Sequence, residues 1–341
     1  MLLPIFGLDT PLLHWCGAVV SALLGQHRND DSTIRADAAG TVLSRLMSGR
    51  GVSVLLSTRP DAIVRQALRE AQLPVVLAAT SSKSGVEHLI SERGFGPSEA
   101  VRVVLGDLAV LAEFIDGPRT LKVTSRQAIE SGAETILLIA GSFGIPCGAA
   151  EAAAIAGNAA GALQPESPSR VSYGAEQVAI DAVLDGIEGA LLGEAPNRIV
   201  VTRHFFTADT GGAPLSAVDA TGRNRLLFWG PFVPLPSGDW TARCVYSFSA
   251  GVVGTPMSID VIQSVGGLRE LARTSFVVTS AGRVDVDLRF LHDEPEAAIE
   301  VRLFSDRPIF DGTVSLGFVE FRRNMADVDK ASGVASVGSA H

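Results

Sequence analysis

The sequence predicts two units in series: a three-layer α/β unit on a parallel sheet, then an antiparallel β-sandwich of jelly-roll type. Three observations carry this. The first half alternates uncharged apolar runs with helical patterns, which implies right-handed crossovers and a sheet covered on both faces. The second half holds eight short apolar or alternating runs, most of them separated by Gly, Pro, Ser or Asp clusters. Between them, positions 164–173 carry two prolines and three serines. The expected division is 1–165 for the α/β unit, 166–195 for a helical linker, 196–325 for the sandwich and 326–341 for a flexible tail rich in Ser, Gly and Ala.

Taken in order, 2–7 is an apolar run of buried-strand type, and Thr10 followed by Pro11 is an N-cap with proline at the first helical position, opening a helix to about Leu24. A second amphipathic pattern covers 35–47, and Gly49 and Gly51 end it before the strand-like 52–56. A helix is expected over 59–72, then the uncharged run 73–79, typical of a buried parallel strand. Helices follow at 85–93 and 97–115, a strand at 120–124, and helices at 126–143, 149–163 and 176–192. Strand-like runs then lie at 199–206, 226–229, 240–248, 257–262, 272–279, 284–290, 298–304 and 313–321. The run 284–290 alternates strictly, as a strand with one wet face does.

Composition excludes several classes. At 341 residues, 47% hydrophobic and 19% charged, the chain is too apolar for disorder. It carries 28 basic and 37 acidic residues, a net charge of −9, so it lacks the broad basic surface that nucleic acid requires. Up to position 165 there are 13 basic and 15 acidic residues, and beyond it 15 and 22, for balances of −2 and −7. Cys16, Cys147 and Cys244 have no metal-knuckle or disulfide spacing, which suits a cytoplasmic location. The apolar start has no basic n-region and is interrupted by Asp9 and Pro11, so it reads as a buried element rather than a signal peptide or membrane span.

A nucleotide enzyme of this architecture holds phosphate on glycine amides and a helix N-terminus after its first strand. The stretch from Gly7 through Asp9, Thr10, Pro11 and His14 to Trp15 occupies that place, and its order resembles the opening loop of the sulfotransferase fold. Gly7 and Trp15 match that loop, whereas Asp9 stands for its proline, Thr10 for its arginine and His14 for a hydroxyl. The stretch 76–100, a strand running into Thr80-Ser81-Ser82-Lys83 and later Gly94-Phe95, is similar to the second sulfotransferase motif. There Thr80 and His88 occupy the positions that the resemblance assigns to the nucleotide 3′-phosphate. Ser57 stands where the family has a lysine, and 120–124 with 138–146 is similar to the closing elements. Sulfuryl transfer needs cationic donors and a base. Several are missing together, so the resemblance implies a degenerate domain without transferase activity and without a cofactor. The residual nucleotide-site candidates are Gly7, Thr10, His14, Thr80, Lys83 and His88, with Arg59 and Lys122 as other cations. The cofactor 3′-phosphoadenosine 5′-phosphosulfate enters only if this cleft is active after all.

In the second half, Phe228-Trp229-Gly230-Pro231-Phe232 through Gly238-Asp239-Trp240 is similar to a phrase of carbohydrate-binding-like β-sandwiches that accompany bacterial glycan-making enzymes, and 299–303 fits the same module. Sugar binding uses an aromatic face for C–H surfaces and carboxylate, amide or arginine groups for hydroxyls. Trp229, Phe232, Asp239, Trp240, Arg243 and His292 are the candidates, with core packing as the rival role of the tryptophans. His204, between Arg203 and Phe205, also reads as packed. Asp285 and Asp287 share a strand face near Asp293 and Glu294 at the ordinary spacing of a solvated face, so no metal is expected. Three functions remain open: non-catalytic glycan recognition in bacterial surface-polysaccharide production, with a glycan-synthesising enzyme as a candidate partner; sulfo- or glycosyl transfer in the N-terminal cleft; and a protein-binding scaffold.

Overall fold

A computed structural model describes residues 2–25, 32–35, 40, 52–163, 171–193, 196–209, 211, 217–264 and 267–324. It is an α/β unit on a parallel sheet followed by an antiparallel β-sandwich. The parallel sheet has the order β2-β3-β1-β4-β5, formed by Ser32–Arg35, Ser53–Ser57, Leu2–Gly7, Val75–Ala79 and Thr120–Thr124 respectively. β1, β3 and β4 are buried along their whole length, which is why their sequences are apolar without alternation. Gly7 is required where β1 passes β4: a Cβ there would lie 2.8 Å from both Cβ and O of Ala78.

Helices cover both faces. On one side α1 (Pro11–Gly25), α6 (Gly132–Phe143) and α7 (Ala149–Ala159) pack on Leu3, Ile5 and Val54. The apolar N-terminal stretch is thus a buried strand and helix, and among the described residues no helix is long and apolar enough to cross a membrane. On the other side lie α2 (Ala62–Glu70), α3 (Ser82–Arg93), α4 (Pro97–Ile115) and α8 (Gln177–Leu184).

Several boundaries moved for local reasons. Asp61 caps α2 by accepting from the Val64 amide, so the helix starts after it rather than at position 59. The single helix expected over 126–143 is two, because α5 (Ser125–Glu130) ends at Ser131 before Gly132 reopens the chain as α6. The helix expected over 35–47 lies, apart from Arg35 at the end of β2 and Gly40, outside the described residues, as does the tail from 325.

The sandwich has one sheet of order β13-β10-β15-β6 and a second of order β12-β11-β14-β9-β7, with β8 (Val218–Asp219) pairing β15. The first comprises Gly282–His292, Gly238–Phe248, Thr313–Arg323 and Arg198–Thr202; the second comprises Leu268–Val277, Pro256–Ser264, Ala298–Ser305, Arg225–Pro234 and Thr207–Ala208. Successive strands β9, β10 and β11 alternate between the sheets, as do β13, β14 and β15, which is the jelly-roll pattern.

The two units share one continuous core. The cluster holding Phe6, Leu77, Val104 and Leu108 runs through Ile180 and Val183 of α8 into Phe205, Phe206, Leu235 and Val301. Polar contacts seal the same seam. Arg65, 3% exposed, donates to Pro60 O at 2.8 Å and pairs with Glu113 at 3.2 Å and with Glu296 of the β13–β14 connection. Arg102 of α4 donates to Pro231 O at 3.0 Å and Phe205 O at 3.2 Å, and its guanidinium lies 5.4 Å from the Phe205 ring centroid. Arg102→Ala removes two charge-assisted hydrogen bonds to carbonyls that have left water, so urea denaturation is expected to show a loss of about 2 kcal/mol. A loss under about 0.5 kcal/mol, within the range of ordinary surface changes, would show that the seam does not need it.

Candidate functional site

Open α/β sheets bind ligands outside the carboxyl ends of their strands. A cavity of about 430 Å³ opens there, lined by Asp9 and His14 after β1, Ser57 and Thr58 at the end of β3, and Arg93 and Asp107 from α3 and α4. Its polar centre is Asp9. One carboxylate oxygen faces His14 Nε2 at 2.9 Å; the other accepts from Arg93 Nε and NH2 at 3.0 and 2.9 Å. The His14 hydrogen bond, reinforced by Arg93, holds the Asp9 carboxyl down at about 2 against the opposing effect of burial. His88 lies beside this pair on α3, and burial pushes its pKa below the ordinary histidine value.

The loop that resembles a phosphate cradle is filled by its own groups. Thr10 is 2% exposed and its hydroxyl donates to Leu8 O at 3.2 Å, Pro11 has no N–H, and Asp9 sets an ionised carboxylate at the mouth. The N-terminus of α3 is likewise occupied: Ser81 Oγ accepts from the Ser84 amide at 3.0 Å, and Glu188 accepts from the Lys83 amide at 3.1 Å. Carboxylates of the chain itself, Asp9 and Glu188, therefore stand at the starts of α1 and α3, the positions a helix offers to an anion. Thr80 is 4% exposed and lines a separate cavity with Thr124 and Arg126, so it does not join His88. Arg59 is drawn into the seam, where its NH2 donates to Glu296 O at 3.2 Å. The cysteines are free; burial pushes the thiols of Cys16 and Cys244 up to about 12, so neither supplies a thiolate at neutral pH.

The six glycan-contact candidates do not converge. Trp240 is fully buried and donates its indole N–H to Pro236 O at 2.9 Å; His292 is 1% exposed. Both are core residues and cannot present a face to a ligand, because β10 and β13 turn them inward. Asp239 and Arg243 lie in the first sandwich sheet and are spent on neighbours: Asp239 on Arg289 and Asn324, Arg243 on Asp285. Asp285 also pairs with Arg283 at 2.8 Å, and Asp293 with Arg269 at 3.2 Å, so this acidic face is balanced by arginines. Phe232 takes a positive φ of 59° in an irregular part of β9, just after the cis Gly230-Pro231 bond. That stretch lies at the seam between the units, where Pro231 O accepts from Arg102, and it is tightly packed: a Cβ on Gly230 would meet Phe205 O at 2.8 Å.

Trp229 remains, and the strand register gives it companions that spacing could not. Cross-strand neighbours run Thr207, Trp229, Arg302, Asp260 and Arg273 in one row across β7, β9, β14, β11 and β12. The row lies on the face opposite the core residues Phe228, Leu303 and Ile259. Asp260 is fully buried and receives Arg302 Nε and NH2 at 2.8 and 2.7 Å, with Arg273 at 3.9 Å. Both guanidiniums lie over the Phe304 ring, at 5.2 and 5.8 Å from its centroid. Glu300, 8% exposed, stands in the next row, where burial raises its pKa. Sequence reasoning missed Arg302 and Asp260, although the alternation in 299–303 marked a strand with one polar face. The arrangement is a partly exposed aromatic ring beside rigidly held, planar donors and acceptors.

No family model and no curated protein matches the chain. Among solved structures, it is similar to a mouse sulfotransferase complexed with PAP, at 10% identity and a TM-score of 0.36, over 46% of this chain and 63% of that one. A carbohydrate-binding module in complex with β-1,4-galactotriose is similar at 11% identity and a TM-score of 0.25, over 38% and 85% of the two chains. The N-terminal cellulose-binding domain of Cellulomonas fimi β-1,4-glucanase C is similar at 16% identity and a TM-score of 0.25, over 39% and 92%. Likenesses of this size carry no argument about activity, and the architecture rests on the strand order and register above: a parallel-sheet α/β unit continued by a β-sandwich.

Proposed function

We propose that the protein recognises a glycan through the second sandwich sheet, and that its α/β unit is a non-transferring partner of that sheet in bacterial surface-polysaccharide production in the cytoplasm. The row from Trp229 through Arg302 and Asp260 to Arg273 carries the recognition. An indole ring takes the apolar face of a sugar, while the partly exposed guanidiniums of Arg302 and Arg273 offer donors to hydroxyls. Asp260 holds Arg302 in one orientation, so little side-chain entropy is lost on binding. The self-occupied anion positions at Asp9 and Glu188 support a non-transferring α/β unit.

The test is a glycan array and titration calorimetry on the full chain. Trp229→Ala is expected to weaken the best glycan about tenfold or more, the order of one aromatic contact, with an unchanged melting temperature. Silence across bacterial and simple glycans, or full affinity in the variant, would overturn the reading. Saturable heat with 3′-phosphoadenosine 5′-phosphate would restore the transferase alternative.

A further inference from the structure

Asp9, His14 and His88 come from three separate elements: the loop after β1, the first turn of α1 and the middle of α3. A potential ligand atom from each lies within 4.8 Å of the others, and all three side chains are half-buried. Together they form a donor set for a cation. Two imidazoles and one carboxylate suit borderline divalent metals such as zinc, nickel or ferrous iron.

Two further features fit that role. Arg93 grips only the outer oxygen of Asp9, orienting the other towards His14 as an outer-shell partner of a metal ligand does. Asp9 and His14 line the cavity of about 430 Å³, so three protein ligands would leave further coordination positions facing open space.

We propose that Asp9, His14 and His88 bind one divalent transition-metal ion at the mouth of the cavity outside the carboxyl ends of β1 and β3. The ion takes the place of the hydrogen bond between His14 Nε2 and Asp9, and both groups turn to it as ligands. The site is independent of the sandwich face and of the glycan reading.

The experiment is calorimetric titration of the chelator-treated, tag-free full chain with zinc chloride, alongside visible absorption with cobalt(II). One equivalent is expected to bind saturably, with a cobalt d–d band. His88→Ala and Asp9→Asn are each expected to weaken zinc about tenfold or more, and to remove the cobalt band. His204→Ala, remote from the cluster, is expected to change nothing. His88→Gln, which keeps much of the side-chain volume, is made as well, and metal-free melting curves report whether each variant folds. Absence of saturable binding, or wild-type affinity in a folded His88 variant, would overturn the site.

Discussion

Trp240→Ala is expected to destabilise the protein by about 3–5 kcal/mol in urea denaturation, the range for removing a large aromatic from a closed core. Trp240 is 0% exposed and lies in β10, which is paired on both sides, opposite Phe290 of β13 and Arg323 of β15. Its indole N–H is satisfied by Pro236 O, so truncation opens a cavity and also leaves a buried carbonyl short of a donor. Trp240→Phe keeps most of the volume and is expected to lose distinctly less. The same pair of variants separates core packing from ligand contact. Loss of glycan affinity with stability intact in Trp240→Ala would return this residue to the binding face and refute its role in the core.

Acid is expected to destabilise the wild-type protein through His292. Burial pushes its pKa down to about 4, against weaker upward pulls from the Leu235 backbone and the Asp293 carboxylate. Neither ring nitrogen has a partner of hydrogen-bond geometry. The folded state therefore holds His292 neutral while the unfolded chain protonates it near its ordinary value of about 6.5. The stabilising difference is fully present above pH 6.5 and is lost as the pH falls from there to about 4, where both states carry the proton. That shift corresponds to about 3 kcal/mol at most. In His292→Leu this part of the acid limb is expected to flatten, as measured by urea midpoints between pH 7 and pH 4. An unchanged limb in the variant would show that other groups carry the acid sensitivity.

Much of the fold was legible because local rules and tertiary outcome agree. Gly96 and Pro97 open α4 at the expected place, and the alternation from Val284 to Phe290 lies in β13 with Leu288 and Phe290 turned inward. β2, by contrast, went unseen because its four residues become a strand only through pairing with β3. The strand expected over 226–229 runs on to Pro234, since pairing with β14 carries it through an irregular register that proline and glycine would ordinarily end.

The sites divide in the same way. The sequence by itself determined that the chain would form an α/β unit and a sandwich, because hydrophobic periodicity and turn residues are local properties. It also showed that the first loop lacks an anion cradle, since a proline without an N–H and an aspartate are visible at their own positions. Only the tertiary structure decided that Asp9 meets Arg93 across 84 residues of sequence, that Glu188 closes the start of α3 from 105 residues away, and that Trp229 stands beside Arg302 rather than Asp239. Those meetings follow from crossover paths and strand register. A slip of one residue in β9 would turn Trp229 into the core, and no residue type records which register the packed sheets select.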